Sequence, residues 1–228
     1  MIGVINKKTV TILTIVYFIN ALIEILAEYF SCKTIIFITK PLIPFLLISL
    51  YWCSSIKKNL VFVIIMLFSL ITNILFIPKS PNALFYGVIA FTFHRILLIY
   101  YLFYLSKIKN YIPFILTTIP LLFIFFYLFF ISSNVPQNSY ALIFFHNIMG
   151  AVIGGIGISN YIVNDNKRNS ILMISVLLFL GLQLVIFVEK YYLYNFSLEF
   201  IRPLAMLLNV LAFYTFYKYV IVTESNTN

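Results

Sequence analysis

Eight long apolar stretches occupy most of the chain and restrict what it can fold into. A helix crosses a bilayer with about 20 predominantly apolar residues, and all eight stretches are long enough. The gaps between them are short, so we expect an all-α integral membrane protein with about eight transmembrane helices, forming a single domain over residues 1–228. The predicted spans are 9–27, 34–54, 60–77, 83–106, 111–131, 139–162, 170–188 and 198–221.

The composition argues against a water-soluble protein. Hydrophobic residues make up 63% of the 228 residues and charged residues only 9%, whereas soluble domains carry roughly 25% charged residues. The net charge of +9 does not indicate nucleic-acid binding, because the basic residues are dispersed and no nucleic-acid-binding motif appears.

The basic residues instead indicate the topology. They recur as pairs in every second gap between apolar stretches: Lys7 and Lys8, Lys57 and Lys58, Lys107 and Lys109, and Lys167 and Arg168. Since short cytoplasmic loops are enriched in Lys and Arg, this alternation predicts that both termini are cytoplasmic. The first apolar run resembles a signal peptide, but no small-residue cleavage site follows it, so we expect a retained helix.

Nearly all deep polar residues fall in the half of the bundle opposite those basic pairs, whereas the inner half holds aromatic and aliphatic residues, with Ser and Asn only at its ends. Ionisable residues inside a membrane usually face the bundle interior and mark a site. The sequence therefore predicts a polar cavity that opens toward the non-cytoplasmic face or outer leaflet. The candidates are Glu24, Lys40, Asn73, His94, Arg95, His146, Asn147, Gln183, Glu189, Glu199 and Arg202.

Several of these residues also have structural explanations. Long side chains near helix ends can snorkel to the interface, which applies to Glu24, Lys40, Glu189 and Arg202. The amides Asn73 and Gln183 are equally compatible with interhelical hydrogen bonds, each worth under about 1 kcal/mol.

The centre of the fourth span is harder to explain structurally. His94 and Arg95 lie there, and an unpaired Arg at that depth costs at least about 2.5 kcal/mol. Arg95 therefore needs a carboxylate, a phosphate or water, which favours a functional role. His146, taken alone, is more typical of a histidine satisfied within the bundle.

Two further patterns concern packing. Four glycines in the sixth span, at positions 150, 154, 155 and 157, favour close packing inside the bundle over dimerisation, and no feature indicates the oligomeric state. Tyrosines cluster near span ends, as in interfacial belts: Tyr100, Tyr101, Tyr104, Tyr191, Tyr192, Tyr194, Tyr214, Tyr217 and Tyr219.

Familiar catalytic and metal-binding patterns are absent from the sequence. It has no G-x-S-x-G, H-E-x-x-H or Walker motif, and no predicted span holds two carboxylates. Cys32 and Cys53 lie at opposite ends of one predicted span, about 30 Å apart at 1.5 Å per residue, so they cannot form a disulfide with each other. With two cysteines and two histidines, neither a metal nor a cofactor is expected.

Three segments resemble the YhhN-like lysoplasmalogenase family. Residues 37–42 (FITKPL) are similar to its F-x-x-K-P-L segment, residues 67–75 (LFSLITNIL) to its S-L-L-G-D-x-L run, and residues 90–98 (AFTFHRILL) to its A-F-x-x-S-H-L-L-Y segment. The resemblance implies an eight-helix fold in the cell membrane, in bacteria the inner membrane. It also implies hydrolysis of the vinyl-ether bond of a lysoplasmalogen or related lysolipid, giving a fatty aldehyde and a glycerophospho head group.

The chain departs from the family where that chemistry needs acids. Asn73 stands at the family's acidic position, Gln183 stands near its Ser-Asp pair, and Arg95 aligns with its histidine. Amides cannot act as general acid or base, so the resemblance leaves Glu24 as the candidate acid and His94 or His146 as the base.

The same resemblance suggests how the lipid is held. Lys40 and Arg95 would bind its phosphate, Arg202 would be a further contact, and Asn73, Gln183 and His146 would line the polar end. The alternative is a non-catalytic lipid-binding membrane protein or a small transporter of the same fold, which the missing acids favour.

Overall fold

The described part of the chain is almost entirely helical. The computed structural model describes residues 7–78, 80–106, 108, 110–132, 137–193 and 199–225. Within them lie eight α-helices and a short 3-10 helix at Gln137–Ser139. The α-helices are α1 (Lys7–Tyr29), α2 (Lys33–Ser54), α3 (Leu60–Leu75), α4 (Pro81–Ser106), α5 (Tyr111–Ile131), α6 (Tyr140–Val163), α7 (Lys167–Tyr191) and α8 (Ile201–Ser225).

The eight predicted spans are confirmed as helices, and seven of the helices in the described residues are long and apolar enough to cross a membrane. The expectation of spanning length is wrong for α3, which has 16 residues and is therefore about 24 Å long. It ends early because Pro78 disfavours helical backbone at Ile77. Length and composition thus indicate a multi-pass membrane protein. Lys107, Lys109 and Tyr194 lie outside the described residues.

The helices form a closed ring with one helix outside it. In order around the ring, α1, α2, α3, α4, α6, α7 and α8 each pack against the next, and α8 packs back against α1. α5 packs against α6, and many of its apolar side chains, such as Phe123 and Tyr127, are exposed. Such faces suit contact with lipid chains, where burial against protein is not required.

Consecutive helices alternate in direction, which gives the ring two distinct ends. We call one end the cavity end. It holds the connections from α1 to α2, α3 to α4, α5 to α6 and α7 to α8. The opposite end holds the start of α1, the end of α8 and the other three connections. Asparagine side chains cap three helices at that opposite end, where Asn59, Asn110 and Asn166 each accept a backbone N–H of the first turn.

The glycines of α6 provide close contacts inside the bundle, as predicted. A Cβ at Gly155 would overlap the Thr118 hydroxyl of α5, and one at Gly150 would overlap the Gln183 amide of α7. These glycines therefore let α5 and α7 approach the α6 backbone, which is the usual role of small residues between membrane helices.

The predicted tyrosine belt is wrong for three of its members. Tyr101, Tyr217 and Tyr219 are fully buried, whereas Tyr100 and Tyr104 are exposed. A tyrosine ring can serve in a core when its hydroxyl finds a polar partner. Here the Tyr217 hydroxyl lies 2.7 Å from Ser54 Oγ and that of Tyr219 lies 3.3 Å from Ser106 Oγ.

The opposite end also holds a buried carboxylate, where only Ser and Asn were predicted. Glu224 accepts hydrogen bonds from the Tyr51 hydroxyl at 2.6 Å and from Ser55 Oγ at 2.6 Å. Glu224 was missed because α8 continues beyond the apolar run, which ends near residue 221. The two bonds fasten the last turn of α8 to the end of α2.

Candidate functional site

A cavity of about 320 Å³ lies between α2, α3, α4, α6, α7 and α8. Its polar part is at the cavity end of the ring, because each polar lining residue lies near that end of its helix or at mid-helix. It is lined by seven of the eight site residues predicted from the sequence: Lys40, Asn73, His94, Arg95, His146, Gln183 and Arg202. The eighth, Glu24, does not line it.

Arg95 is a buried cation for which the described residues provide no carboxylate. Its Nη1 donates to the His146 carbonyl at 2.9 Å and to Gln183 Oε1 at 2.6 Å. The guanidinium carbon also lies 4.7 Å from the centroid of the Phe91 ring. Both partners are neutral, so the charge of Arg95 is not compensated within the described part of the protein.

Lys190 is a second cation in the cavity wall, and the carboxylate of the neighbouring Glu189 attracts it. Its ammonium lies 5.3 Å from the centroid of the Phe76 ring and forms no ion pair with any described residue. Lys190 lies beyond the predicted seventh span, because the apolar run ends near residue 188. A basic residue in the last helical turn was the available signal, since cations favour that position.

The other two cations in the wall are paired with carboxylates. Lys40 Nζ lies 2.8 Å from Glu28 Oε1, and Arg202 forms an ion pair with Glu189. Lys40 is buried, so the snorkelling alternative is wrong for it. The expectation that no span holds two carboxylates is also wrong. α1 extends to Tyr29, which places Glu24 and Glu28 one turn apart on it.

The two amides make interhelical hydrogen bonds. Asn73 Nδ2 donates to the Lys40 carbonyl at 3.2 Å, and Gln183 Nε2 donates to Asn147 Oδ1 at 3.1 Å. The first bond has a local cause. Pro44 has no N–H, so the Lys40 carbonyl, four residues earlier, lacks its helical donor. An amide can supply that donor, whereas an ionised carboxylate at position 73 cannot.

The two histidines lie on either side of one aromatic ring. Phe91 stacks on His94 with centroids 5.6 Å apart and on His146 with centroids 5.1 Å apart. His94 Nδ1 donates to the Ile65 carbonyl at 3.0 Å, which fixes its tautomer when it is neutral.

His146 is held differently. Its Nε2 lies 3.0 Å from the Thr92 hydroxyl, and that hydroxyl donates its single proton to the Val88 carbonyl at 2.8 Å. Nε2–H of His146 is therefore the donor to Thr92. Nδ1 is left as an acceptor, and no described residue bonds to it.

Glu24 belongs to the α1–α2 contact instead of the cavity. It is fully buried, which makes the snorkelling alternative wrong for this residue as well. One carboxyl oxygen bonds to the Thr39 hydroxyl and the other has no partner among the described residues. Lys40, adjacent to Thr39, is the link between this contact and the cavity wall.

Apolar side chains continue the cavity toward the middle of the bundle. Leu98 lies one helical turn inward from Arg95, Phe179 one turn inward from Gln183, and Phe213 lies far along α8 from Arg202. The cavity thus has a charged, hydrogen-bonding end and an apolar end, which suits a ligand with a polar head and one hydrocarbon chain.

Comparison with known proteins adds no relative. Neither a protein-family model, nor a curated protein sequence, nor a solved structure matches the chain. A functional proposal therefore rests on the cavity itself.

Proposed function

We propose that the protein binds a single-chain membrane lipid of the lysophospholipid class, with its phosphate at the polar end of the cavity. The observation that carries this proposal is that two cations of the wall, Arg95 and Lys190, form no ion pair within the described residues and lie next to an apolar lining. We further propose that the protein lies in the cell membrane with both termini cytoplasmic, so that the polar end of the cavity faces the non-cytoplasmic side.

The charge balance of the wall points to an anionic head group. Lys40 and Arg202 are neutralised by carboxylates, whereas Arg95 and Lys190 are not, which leaves an excess of two positive charges. A buried charge without a partner costs several kcal/mol. A phosphate supplies the missing charge, and its oxygens match the planar fork of an arginine.

The size and lining of the cavity favour one hydrocarbon chain. Its volume of about 320 Å³ lies at the lower end of the range of about 300–1,000 Å³ found for small-molecule sites. The aromatic rings of Phe179 and Phe213, with Leu98, would surround the part of the chain nearest the head group.

Binding of defined lipids to the purified protein tests this proposal. The ligands are a lysophospholipid with an acidic phosphate head, its zwitterionic counterpart and a monoacylglycerol, all with the same acyl chain. We expect the monoacylglycerol to bind about 10–100-fold more weakly than the acidic lipid, because it loses charge-assisted hydrogen bonds worth about 1.5–3 kcal/mol. Equal affinity for the monoacylglycerol would contradict the proposal, and the zwitterionic lipid reports whether the head group needs a net charge.

Hydrolysis of a lysoplasmalogen is a second candidate function. The reaction protonates the enol-ether carbon, adds water to the resulting oxocarbenium ion, and ends when the hemiacetal collapses to a fatty aldehyde and a glycerophospho alcohol. Two observations support it. The three family-like segments contribute Lys40, Asn73 and Arg95 to one cavity, and His146 has a ring nitrogen without a described partner.

Hydrolysis at this site needs a proton donor for the enol-ether carbon, and the carboxylates are poorly placed to supply it. Glu24 lies outside the lining, and Glu189 is the one carboxylate that lines the cavity in the described ranges, where it is bound to Arg202. For hydrolysis we therefore assign His146 as the base; the proton donor is not Glu24, which has no direct contact with substrate, nor Glu189, which the ion pair with Arg202 keeps ionised.

Aldehyde release from a lysoplasmalogen separates the two functions. The saturated alkyl-ether lipid is the control substrate, since it cannot be protonated at an enol-ether carbon. We expect His146→Gln to reduce aldehyde release and Glu24→Gln to leave it unchanged. Loss of activity in Glu24→Gln but not in His146→Gln would refute the assignment of His146 as the base. Lipid binding without aldehyde release would show that the protein binds the lipid without hydrolysing it.

A further inference from the structure

Glu24 differs from the other buried or half-buried carboxylates of the described chain. Glu28 and Glu189 each pair with a cation, and Glu224 accepts hydrogen bonds from two hydroxyl groups. Glu24 is fully buried and contacts only the Thr39 hydroxyl among the described hydrogen-bond partners. Its second oxygen is buried without a described partner.

The hydrogen bonds around Thr39 are compatible with a proton on Glu24. The Thr39 hydroxyl has one hydrogen and lies 2.8 Å from the Ile35 carbonyl, which can only accept. The hydroxyl also bonds to Glu24 Oε2. Both bonds form together when Thr39 donates to Ile35 and Glu24 donates an O–H to Thr39. A carboxylic acid at Glu24 allows both bonds, whereas an ionised Glu24 would take the Thr39 proton and leave the Ile35 carbonyl without it.

Burial is the main factor that opposes ionisation of Glu24, and the nearby charges act in both directions. On its own helix it faces Glu28, whose negative charge opposes a second one nearby. On α2 it faces Lys40, whose ammonium already binds Glu28. α8, which also packs against α1, adds no charged group that interacts with Glu24 within the described chain. An ionised Glu24 would thus be buried without a counter-ion of its own.

We propose that Glu24 is a proton-binding site at the α1–α2 contact, separate from the lipid cavity, which holds its proton in the folded protein. The proton also positions Lys40. While Glu24 is neutral, Lys40 binds Glu28 alone; release of the proton creates a second carboxylate that competes for the same ammonium. Because Lys40 lines the cavity, the proton on Glu24 controls the charge presented there.

Infrared spectroscopy of the full-length protein in lipid nanodiscs tests this directly. A protonated carboxyl group has a carbonyl stretch distinct from the bands of a carboxylate. We expect this band in the wild-type protein at neutral pH, its loss in Glu24→Gln, and its retention in the matched control Glu189→Gln. Absence of the band from the wild type, or its persistence in Glu24→Gln, would overturn the proposal.

Thermal stability provides a second readout that does not depend on the band. Glutamine reproduces a protonated glutamate, since its N–H can donate to Thr39 as the carboxyl O–H does. We expect Glu24→Gln to unfold at the wild-type temperature and Glu24→Ala to unfold at a lower one. An equal loss of stability in both variants would show that Glu24 is needed as a charge and would also overturn the proposal.

Discussion

Arg95 and Lys40 are both buried cations in one cavity wall, yet their replacement by methionine should have opposite consequences. Lys40 is compensated by Glu28, and Arg95 is bonded only to neutral groups. Lys40→Met leaves a buried carboxylate without its counter-ion. Arg95→Met instead removes a charge that had no counter-ion. We therefore expect Lys40→Met to impair folding and Arg95→Met to impair binding.

The magnitudes follow from these contacts. Breaking one partner of a buried ion pair costs about 3–5 kcal/mol, which we expect for Lys40→Met. Arg95→Met loses two hydrogen bonds worth about 1.5–3 kcal/mol each but also releases a buried unpaired charge that costs several kcal/mol. The two effects offset each other, so its free energy of unfolding should stay within about 1 kcal/mol of the wild type. Lipid affinity should fall about 10–100-fold in Arg95→Met, from the loss of a charge-assisted bond.

Two measurements on each variant separate stability from binding. Unfolding of the lipid-free protein in detergent, followed by circular dichroism, gives the relative stabilities. Titration with an acidic lysophospholipid gives the affinities. If Arg95→Met is destabilised as much as Lys40→Met, Arg95 has a structural role and the reasoning from unpaired charge is wrong.

Three further predictions concern packing, the opposite end and topology. Gly155→Leu should destabilise the α5–α6 contact by about 1–3 kcal/mol through overpacking. In Gly181→Ala the added Cβ has its nearest neighbour at 3.8 Å, so unfolding at the wild-type temperature is expected. Glu224→Gln should lower the free energy of unfolding by about 1–3 kcal/mol, measured by the same unfolding assay, because its bonds to two hydroxyl groups lose their charge assistance; unchanged stability would contradict this. Cys32 and Cys53 are both exposed and lie at opposite ends of α2, so a membrane-impermeant maleimide applied to intact cells should label Cys32 alone. Labelling of Cys53 alone would reverse the proposed topology.

The helices were predictable because hydropathy reports directly which segments can enter a bilayer. It was also predictable that polar residues gather toward one end, as Asn73, Arg95, His146 and Gln183 do. Because consecutive helices alternate in direction, the position of a residue within its span gives its depth in the membrane. Those two inferences required no knowledge of which helices are neighbours.

The pairing of charges was not predictable, because it depends on where helices end and how they face one another. Glu28 and Lys190 lie beyond the apolar runs, yet within helices, so they were not counted as intramembrane residues. That omission made Lys40 look like an unpaired phosphate ligand. For the same reason the sequence did not indicate Lys190, which forms no ion pair among the described residues.

The role of Asn73 likewise needed the tertiary structure. Its amide donates to a carbonyl that Pro44 leaves without a helical partner. From the sequence, Asn73 was only a missing acid. In the folded protein, the amide is the chemical group that this position requires.

Photocrosslinking with a lysophospholipid whose acyl chain carries a photoreactive group tests the lipid cavity most directly, with the labelled positions mapped by peptide mass spectrometry. We predict labels around Phe179, Met206 and Phe213 in the cavity lining, and their loss when unlabelled acidic lysophospholipid is added in excess. Labels confined to outward-facing residues such as Phe123 and Tyr127 of α5, with no competition, would contradict it.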